Sequence, residues 1–390
     1  MTCLQLRVHQ ILREYTTVQR ILKALLIIFL ISSQLAGIGS PSWAYAESSE
    51  REIITQFLQE LFEDRTRLLL DHNRAHIEDH YLRDNPYSRH ALGHEMERAE
   101  YIQAWAKERR AKFVNAESSI RVVRLKVEGE TAKVSLVQSL KLGYEYVDKY
   151  PGHHDFGIGT RHAIKLHKHN NVWYLEREWY LDPLEENPKL IQKCNMDFVP
   201  ARTPMQPKEN SKYNRLRAVE YANKYAGLAW GAGNKHRYNP KYKDYNSQGG
   251  DCTNFSSQVI GDKEGGGLRM RGDWRYYYRD GGTRSWVRTD SFKSFLVHSG
   301  YGTVVAHGDF SKVVKFANHI QQDESQLYKL QAGDLIAYQI KGDIDHFSII
   351  VGFDQSGYPL VNSHTADRFQ VPFDLGWDKY TKYQIIHIRD

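Results

Sequence analysis

The sequence predicts an α+β protein of two domains, and three observations carry that prediction. Residues 48–115 repeat apolar side chains at helical spacing. Residues 120–127 and 132–140 alternate apolar and polar side chains on either side of a Glu128-Gly129-Glu130 turn. Between residues 333 and 365, further alternating stretches are separated by turn residues, the pattern of an antiparallel meander. In both halves helices come first and antiparallel strands follow, which is the α+β arrangement.

With 390 residues, 41% hydrophobic and 26% charged, the chain is long enough for two domains and a leader. The first 46 residues carry Arg7, Arg13, Arg20 and Lys23 against Glu14, so about half of the formal charge of +6 belongs to them. The remainder is too mildly basic, and too free of Lys/Arg stripes, to suggest a nucleic-acid partner. Arg20 and Lys23 precede the apolar run 24–31, and Ala44-Tyr45-Ala46 supplies a small-x-small cleavage pattern. Residues 1–46 are therefore expected to be a signal peptide, leaving a secreted or cell-wall-associated protein with no stable membrane span. An uncleaved N-terminal anchor is the alternative, although the run is shorter than the roughly 20 residues a spanning helix needs. Of three cysteines, Cys3 lies in the leader. A Cys194–Cys252 bridge is the rival to a free thiol at Cys252.

Residues 47–199 read as the first domain. Phe57, Leu58, Leu61 and Phe62 share a helical face, as do Tyr101, Ile102 and Trp105, and Asn85-Pro86 marks the break between helices. After the hairpin come strands at 162–167 and 172–179, joined by His169-Asn170-Asn171. Helices followed by a curved sheet suggest a cystatin-like or NTF-like cone with a binding or positioning role. His72, His76 and His80 are spaced to lie on one helix face, but Asp71, Arg74, Glu78 and Asp79 among them read as a solvated surface, so no metal is expected. Residues 200–212, with Pro204 and Pro207, read as a linker.

Residues 213–390 form the second domain. A helix at 214–225 stops at Gly227, and a Tyr/Asn/Lys-rich loop leads to Gly249-Gly250-Asp251-Cys252. The glycines release the backbone, and Asp251 is a suitable N-cap for a helix that buries Cys252, Phe255, Val259 and Ile260. A cysteine there lies at the positive end of the helix dipole, which favours the thiolate, while Asp251 opposes it. The segment from 261 to 287 is rich in glycine and aromatics, with Trp274 and Trp286 candidate substrate-groove residues. His346 opens a strand. Asn362 and His364, two apart on the next, point to one face.

A cysteine at a helix start, a histidine on a strand and a polar residue on the next strand follow the order of a papain-like site. Together, Asp251-Cys252-Thr253-Asn254-Phe255, Tyr221-Ala222, Ser285-Trp286, Gly333-Asp334, Asp345-His346 and Ser363-His364-Thr365 resemble the putative amidase domain family of exported bacterial proteins. That family looks like a divergent branch of the papain-like cell-wall hydrolases. The resemblance covers roughly residues 213–390 and is silent on residues 48–199. It implies a papain-like fold, Cys252 as nucleophile, His346 as general base and acid, and either His364 or Asn362 as the third group. The oxyanion donors it implies are the Cys252 N–H and a side chain from the preceding loop, Asn246 or Gln248. Asn254 and Asp367 are expected as structural companions. The expected activity is hydrolysis of an amide in a peptide or peptidoglycan-like substrate, with no cofactor. The alternative is a non-catalytic module binding cell wall or a surface partner.

Overall fold

A computed structural model describes residues 42–147, 152–184, 187–193, 211–314 and 330–389. The chain forms two compact units, Met1–Gln56 and Phe57–Asp390. Residues 1–41 of the leader, Cys194 and most of the expected linker lie outside the described residues. Every described strand belongs to the second unit.

The helices of that unit are α1 (Ser42–Asp71, from Phe57 onward), α2 (Ala75–Glu78), α3 (Pro86–Glu108), α4 (Arg215–Lys224), α5 (Cys252–Gly261), α6 (Arg284–Val287) and α7 (Thr289–Ser299). Among the described helices none is long and apolar enough to cross a membrane. Strands β1 (Ala111–Glu128), β2 (Thr131–Tyr146), β3 (His153–His169) and β4 (Val172–Tyr180) follow α3. The chain then adds β5 (Tyr276–Tyr277), β6 (Gly281–Gly282), β7 (Gly302–Gly308), β8 (Leu335–Ile340), β9 (Asp343–Phe353), β10 (Pro359–Ser363), β11 (Asp367–Pro372) and β12 (Lys382–Ile388). The class is α+β, as the sequence predicts.

Local chemistry accounts for the boundaries. Asn85 caps α3 by accepting from the Tyr87 and Ser88 amides, with Pro86 at the first helical position, where its missing N–H costs nothing. Asn170 and Asn171 both take left-handed φ (48° and 68°) and turn β3 into β4, a conformation asparagine tolerates. His72 likewise has φ 57° and lies beyond the end of α1. His72, His76 and His80 therefore do not share a helix face, contrary to the spacing argument. His76 Nε2 instead meets Asp71 at 3.0 Å, and His80 Nε2 meets Asp64 at 2.8 Å.

All pairings in the main sheet are antiparallel, and the ten strands run β1-β2-β3-β11-β10-β9-β8-β12-β7, with β4 beside β3. The long β3 makes this continuity possible. One edge pairs with β2, while the other pairs with β4 from His162 onward and with β11 along Gly157–Gly159. Gly157 and Gly159 are required there because a loop crosses directly over them. A Cβ at 157 would stand 2.0 Å from the Trp230 carbonyl oxygen, and one at 159 would stand 2.5 Å from Leu228.

Alternation sorts the C-terminal strands into two faces. Leu335, Ala337, Phe347, Ile349 and Val351 pack against Ala218, Tyr221, Phe255, Val259, Ile260 and Phe292 of α4, α5 and α7. Ile336, Tyr338, Ile350, Val361, Tyr383 and Ile385 face the other way, onto Phe310, Val313 and Phe373. Buried polar ties join the early and late strands. Arg109 Nη2 and Trp105 Nε1 donate to Asp374 Oδ2 at 2.5 and 3.0 Å, and Tyr144 and Tyr146 hydroxyls each donate to Asp354 at 2.7 Å.

Candidate functional site

The site is built from the turn before α5. Gly249 (φ 107°) and Gly250 (φ 127°) take conformations open to glycine, and a Cβ at 250 would come 3.1 Å from Thr365 Oγ1. That hydroxyl accepts from the Asp251 amide (2.7 Å) and the Cys252 amide (3.2 Å). Thr365 itself has φ 79°, a strained state for a β-branched residue that persists only where its surroundings impose it. No local pattern in the chain singles it out.

Cys252 is the first residue of α5 and carries a free, buried thiol. Its sulfur lies 3.8 Å from Thr253 Oγ1 and faces the backbone N–H of Phe347, the residue after His346. Burial pushes the thiol up, against hydrogen bonds from the Phe347 amide and Thr253 that favour the anion. Desolvation thus outweighs the hydrogen bonds that favour the thiolate.

Asp251 does not cap α5. Its Oδ1 accepts from the Tyr245 amide and from Asn254 Nδ2, each at 2.9 Å, and its Oδ2 meets His364 Nδ1 at 2.7 Å. The other His364 nitrogen meets the Tyr225 carbonyl at 2.6 Å, so an oxygen faces each ring nitrogen. The ring is sandwiched between Tyr238 and Phe255, with centroids 3.7 and 3.8 Å away. Asp367, fully buried, supports this sandwich. It accepts from the Leu228 amide (2.9 Å), the Tyr238 hydroxyl and Arg161 Nη2 (3.0 Å). Arg161 comes from β3 and also lies over the Tyr238 ring. A line of contacts thus runs from the first half of the chain to the residue beside the thiol.

His346 lies on β9, opposite Tyr338. Its ring packs with Tyr338 and Trp377, while the next side chain, Phe347, packs with Phe292 on the helix-bearing face. Its Nε2 is buried and has no hydrogen-bond partner among the described residues. Burial, followed by the positive charges of Arg368 and His364, lowers the imidazole to about 3, so it is neutral across the physiological range. Asn362 is fully engaged in other work, with Nδ2 on Asn223 Oδ1 (2.9 Å) and Oδ1 accepting from the Gln370 amide (2.7 Å).

The structure therefore brings Cys252 to the peptide that follows His346, and it ties His364 to Asp251. It directs the polar atoms of His364 and Asn362 to partners other than His346. Asn246 Nδ2 donates to the Tyr238 hydroxyl at 3.1 Å, and Gln248 is exposed in a short 3-10 turn. Trp274 and Trp286 are core residues, fully buried, their indole N–H groups donating to Ser257 Oγ and Asn254 Oδ1 at 2.9 Å. In the same segment Tyr277 and Tyr278 are the exposed rings. They lie on a hairpin fastened to the thiol loop by Lys243 N–H to Tyr276 OH (2.7 Å) and Gly282 N–H to Tyr245 OH (2.8 Å).

Taken together, these features define an α+β chain whose C-terminal half sets a buried thiol at the start of a helix packed on an antiparallel sheet. Residues 212–386 match the family model described as "Putative amidase domain". The chain is 32% identical over 190 residues to the uncharacterized protein YhbB of Bacillus subtilis (strain 168), covering 46% of this chain and 51% of that one. The chain thus spans about half the length of that curated relative. Among solved structures, the intermembrane-space region of the chloroplast protein ARC6 is 12% identical with a TM-score of 0.23, over 32% of this chain and 92% of that one. A CaM-kinase II association-domain-like protein from Exiguobacterium sibiricum is 18% identical with a TM-score of 0.21, over 33% of this chain and 94% of that one.

Proposed function

We propose that the chain is an exported, cysteine-dependent amide hydrolase acting on cell-wall peptides, on a papain-like arrangement of helix and sheet. The observation that supports this most is the free thiol on the first turn of α5, set against the Phe347 amide one residue beyond His346. A protonated thiol and a neutral imidazole suit a general-base route. His346 is the base the resemblance implies for the Cys252 proton as sulfur bonds to the substrate carbonyl carbon, and its ring, packed on Tyr338 and Trp377, must turn towards α5 to take it. Collapse of the tetrahedral adduct releases the amine, which leaves with that proton, and water then hydrolyses the thioester. The Cys252 amide serves the oxyanion once it leaves Thr365 Oγ1, with Asn246 or Gln248 as the side-chain donor. Export rests on the leader at residues 1–46, and domains at 47–199 and 213–390 remain the working division of the chain.

The test is incubation of the mature protein with peptidoglycan fragments, reading new amines and cleaved peptides by mass spectrometry. Cys252→Ser is expected to lose all turnover, and turnover retained by that variant sinks the proposal. A second reading, a non-catalytic binding module, is favoured by the burial that raises the thiol. It predicts that the unaltered protein binds fragments without cleaving them.

A further inference from the structure

Strands β1 to β4 leave one face of their sheet open. Val134, Ile164 and Leu166 are buried on the opposite side, whereas Ser135, Ala163 and Trp179 are exposed. Register brings like charges together on the open face. Lys126 pairs with Lys133, Lys133 with Lys165, and Lys165 with Arg177, so four cations stand abreast on four strands. At roughly 4.8 Å between strands, the row is about 14 Å long. Arg124, Ser135, Ala163 and Trp179 form the neighbouring row, and Arg121 begins the one beyond.

Like charges set directly opposite one another across strands destabilise a sheet, so the fold gains nothing from this row. Carboxylates answer it only in part. Glu128 serves both Lys126 (2.5 Å) and Lys133 (3.3 Å), and Glu176 serves Lys165 (2.7 Å). Arg121 and Arg124, both exposed, add to the positive side. Uncovered apolar side chains stand beside the cations. Trp179 is 69% exposed, and Leu181, two positions on, is 50% exposed. An indole flanked by basic groups suits a bilayer surface, where the ring rests at headgroup level and the cations meet acidic lipid. A soluble phosphate polymer calls on the cations alone. A second copy of the chain laid on this face would set cation against cation.

We propose that this face docks the protein on a bilayer of acidic phospholipid, with Lys126, Lys133, Lys165 and Arg177 on the headgroups and Trp179 in the interface. The docking is peripheral and calls for no spanning helix. It goes beyond the hydrolase reading and shares no residue with it, so either can fail without the other.

The experiment sediments the full mature chain with vesicles of phosphatidylcholine, alone or mixed with phosphatidylglycerol, in rising sodium chloride. Binding is expected only to the acidic vesicles, weakening as salt screens the charges. The combined variant Lys126→Gln, Lys133→Gln, Lys165→Gln is expected to bind about a hundredfold more weakly. Its Tm should be equal to or above that of the unaltered protein, because the change relieves repulsion on an exposed face. Tryptophan emission is expected to shift to the blue on acidic vesicles, and Trp179→Ala is expected to lose that shift. Equal binding to both kinds of vesicle, full binding by the triple variant, or a blue shift that survives in Trp179→Ala would each overturn the proposal. Polyphosphate that displaces the protein from vesicles at equal phosphate concentration, with no change in emission at any stage, would assign the face to a soluble polymer and overturn the bilayer.

Discussion

At the scale of single residues, the site is governed by desolvation. Cys252 begins a helix and has amide donors near its sulfur, yet burial pushes its thiol up. Slow alkylation at neutral pH, accelerating only in alkaline buffer, is therefore expected whether or not the protein is an enzyme, so turnover is the discriminating measurement. His346 has a lowered imidazole, at about 3. The unfolded chain binds a proton near 6.5 that the folded chain refuses, so stability is full above about 6.5 and is lost as pH falls towards 3. Melting temperature against pH should fall more steeply for the unaltered protein than for His346→Gln across that window, and parallel curves would contradict the assignment.

At the scale of elements, the turn before α5 and the strands β10 and β11 act together. Thr365 holds the Asp251 and Cys252 amides, and Asp367 holds Tyr238 flat against His364. Arg161 reaches this assembly from β3. Arg161→Gln should lower kcat about tenfold with little change in KM, because it touches the support of the site and no part of a substrate; Arg161→Lys should recover part of the loss. A change confined to KM would remove Arg161 from this role. Tyr278, exposed on the hairpin beside the thiol loop, should behave oppositely, with Tyr278→Ala raising KM and sparing kcat.

For the whole molecule, the continuous sheet is the main consequence. Pairing of β3 with β11 joins strands from the two halves, and buried ties reinforce the join. Asp374 accepts from Arg109, Trp105 and Tyr358, so Asp374→Ala takes the carboxylate away from a buried guanidinium. A loss of about 3–5 kcal/mol is expected in urea unfolding, with one cooperative transition reporting on both halves. Two separated transitions would show that the halves unfold independently. Replacing Gly157 by valine should also destabilise the protein, since the loop at Trp230 occupies the space a side chain needs.

Much of this protein was legible in its sequence because the signals are local. Apolar periodicity marked the helices, alternation marked the hairpins, and Asn85-Pro86 and Asn170-Asn171 marked their ends. The glycine pair before Cys252 identified the turn that carries the thiol. Tertiary structure alone decided what those residues meet. A two-residue period says which side chains share a face, but not which face lies under α5, so Phe347 rather than the His346 ring points towards the helices. Aromatic residues look alike in sequence whether they line a groove or fill a core, and packing put Trp274 and Trp286 in the core and Tyr278 outside. The bonds from Arg161 to Asp367 and from Asp251 to His364 span 206 and 113 positions. Contacts of that range leave no periodic trace, because they arise only when strands distant in the chain are laid side by side.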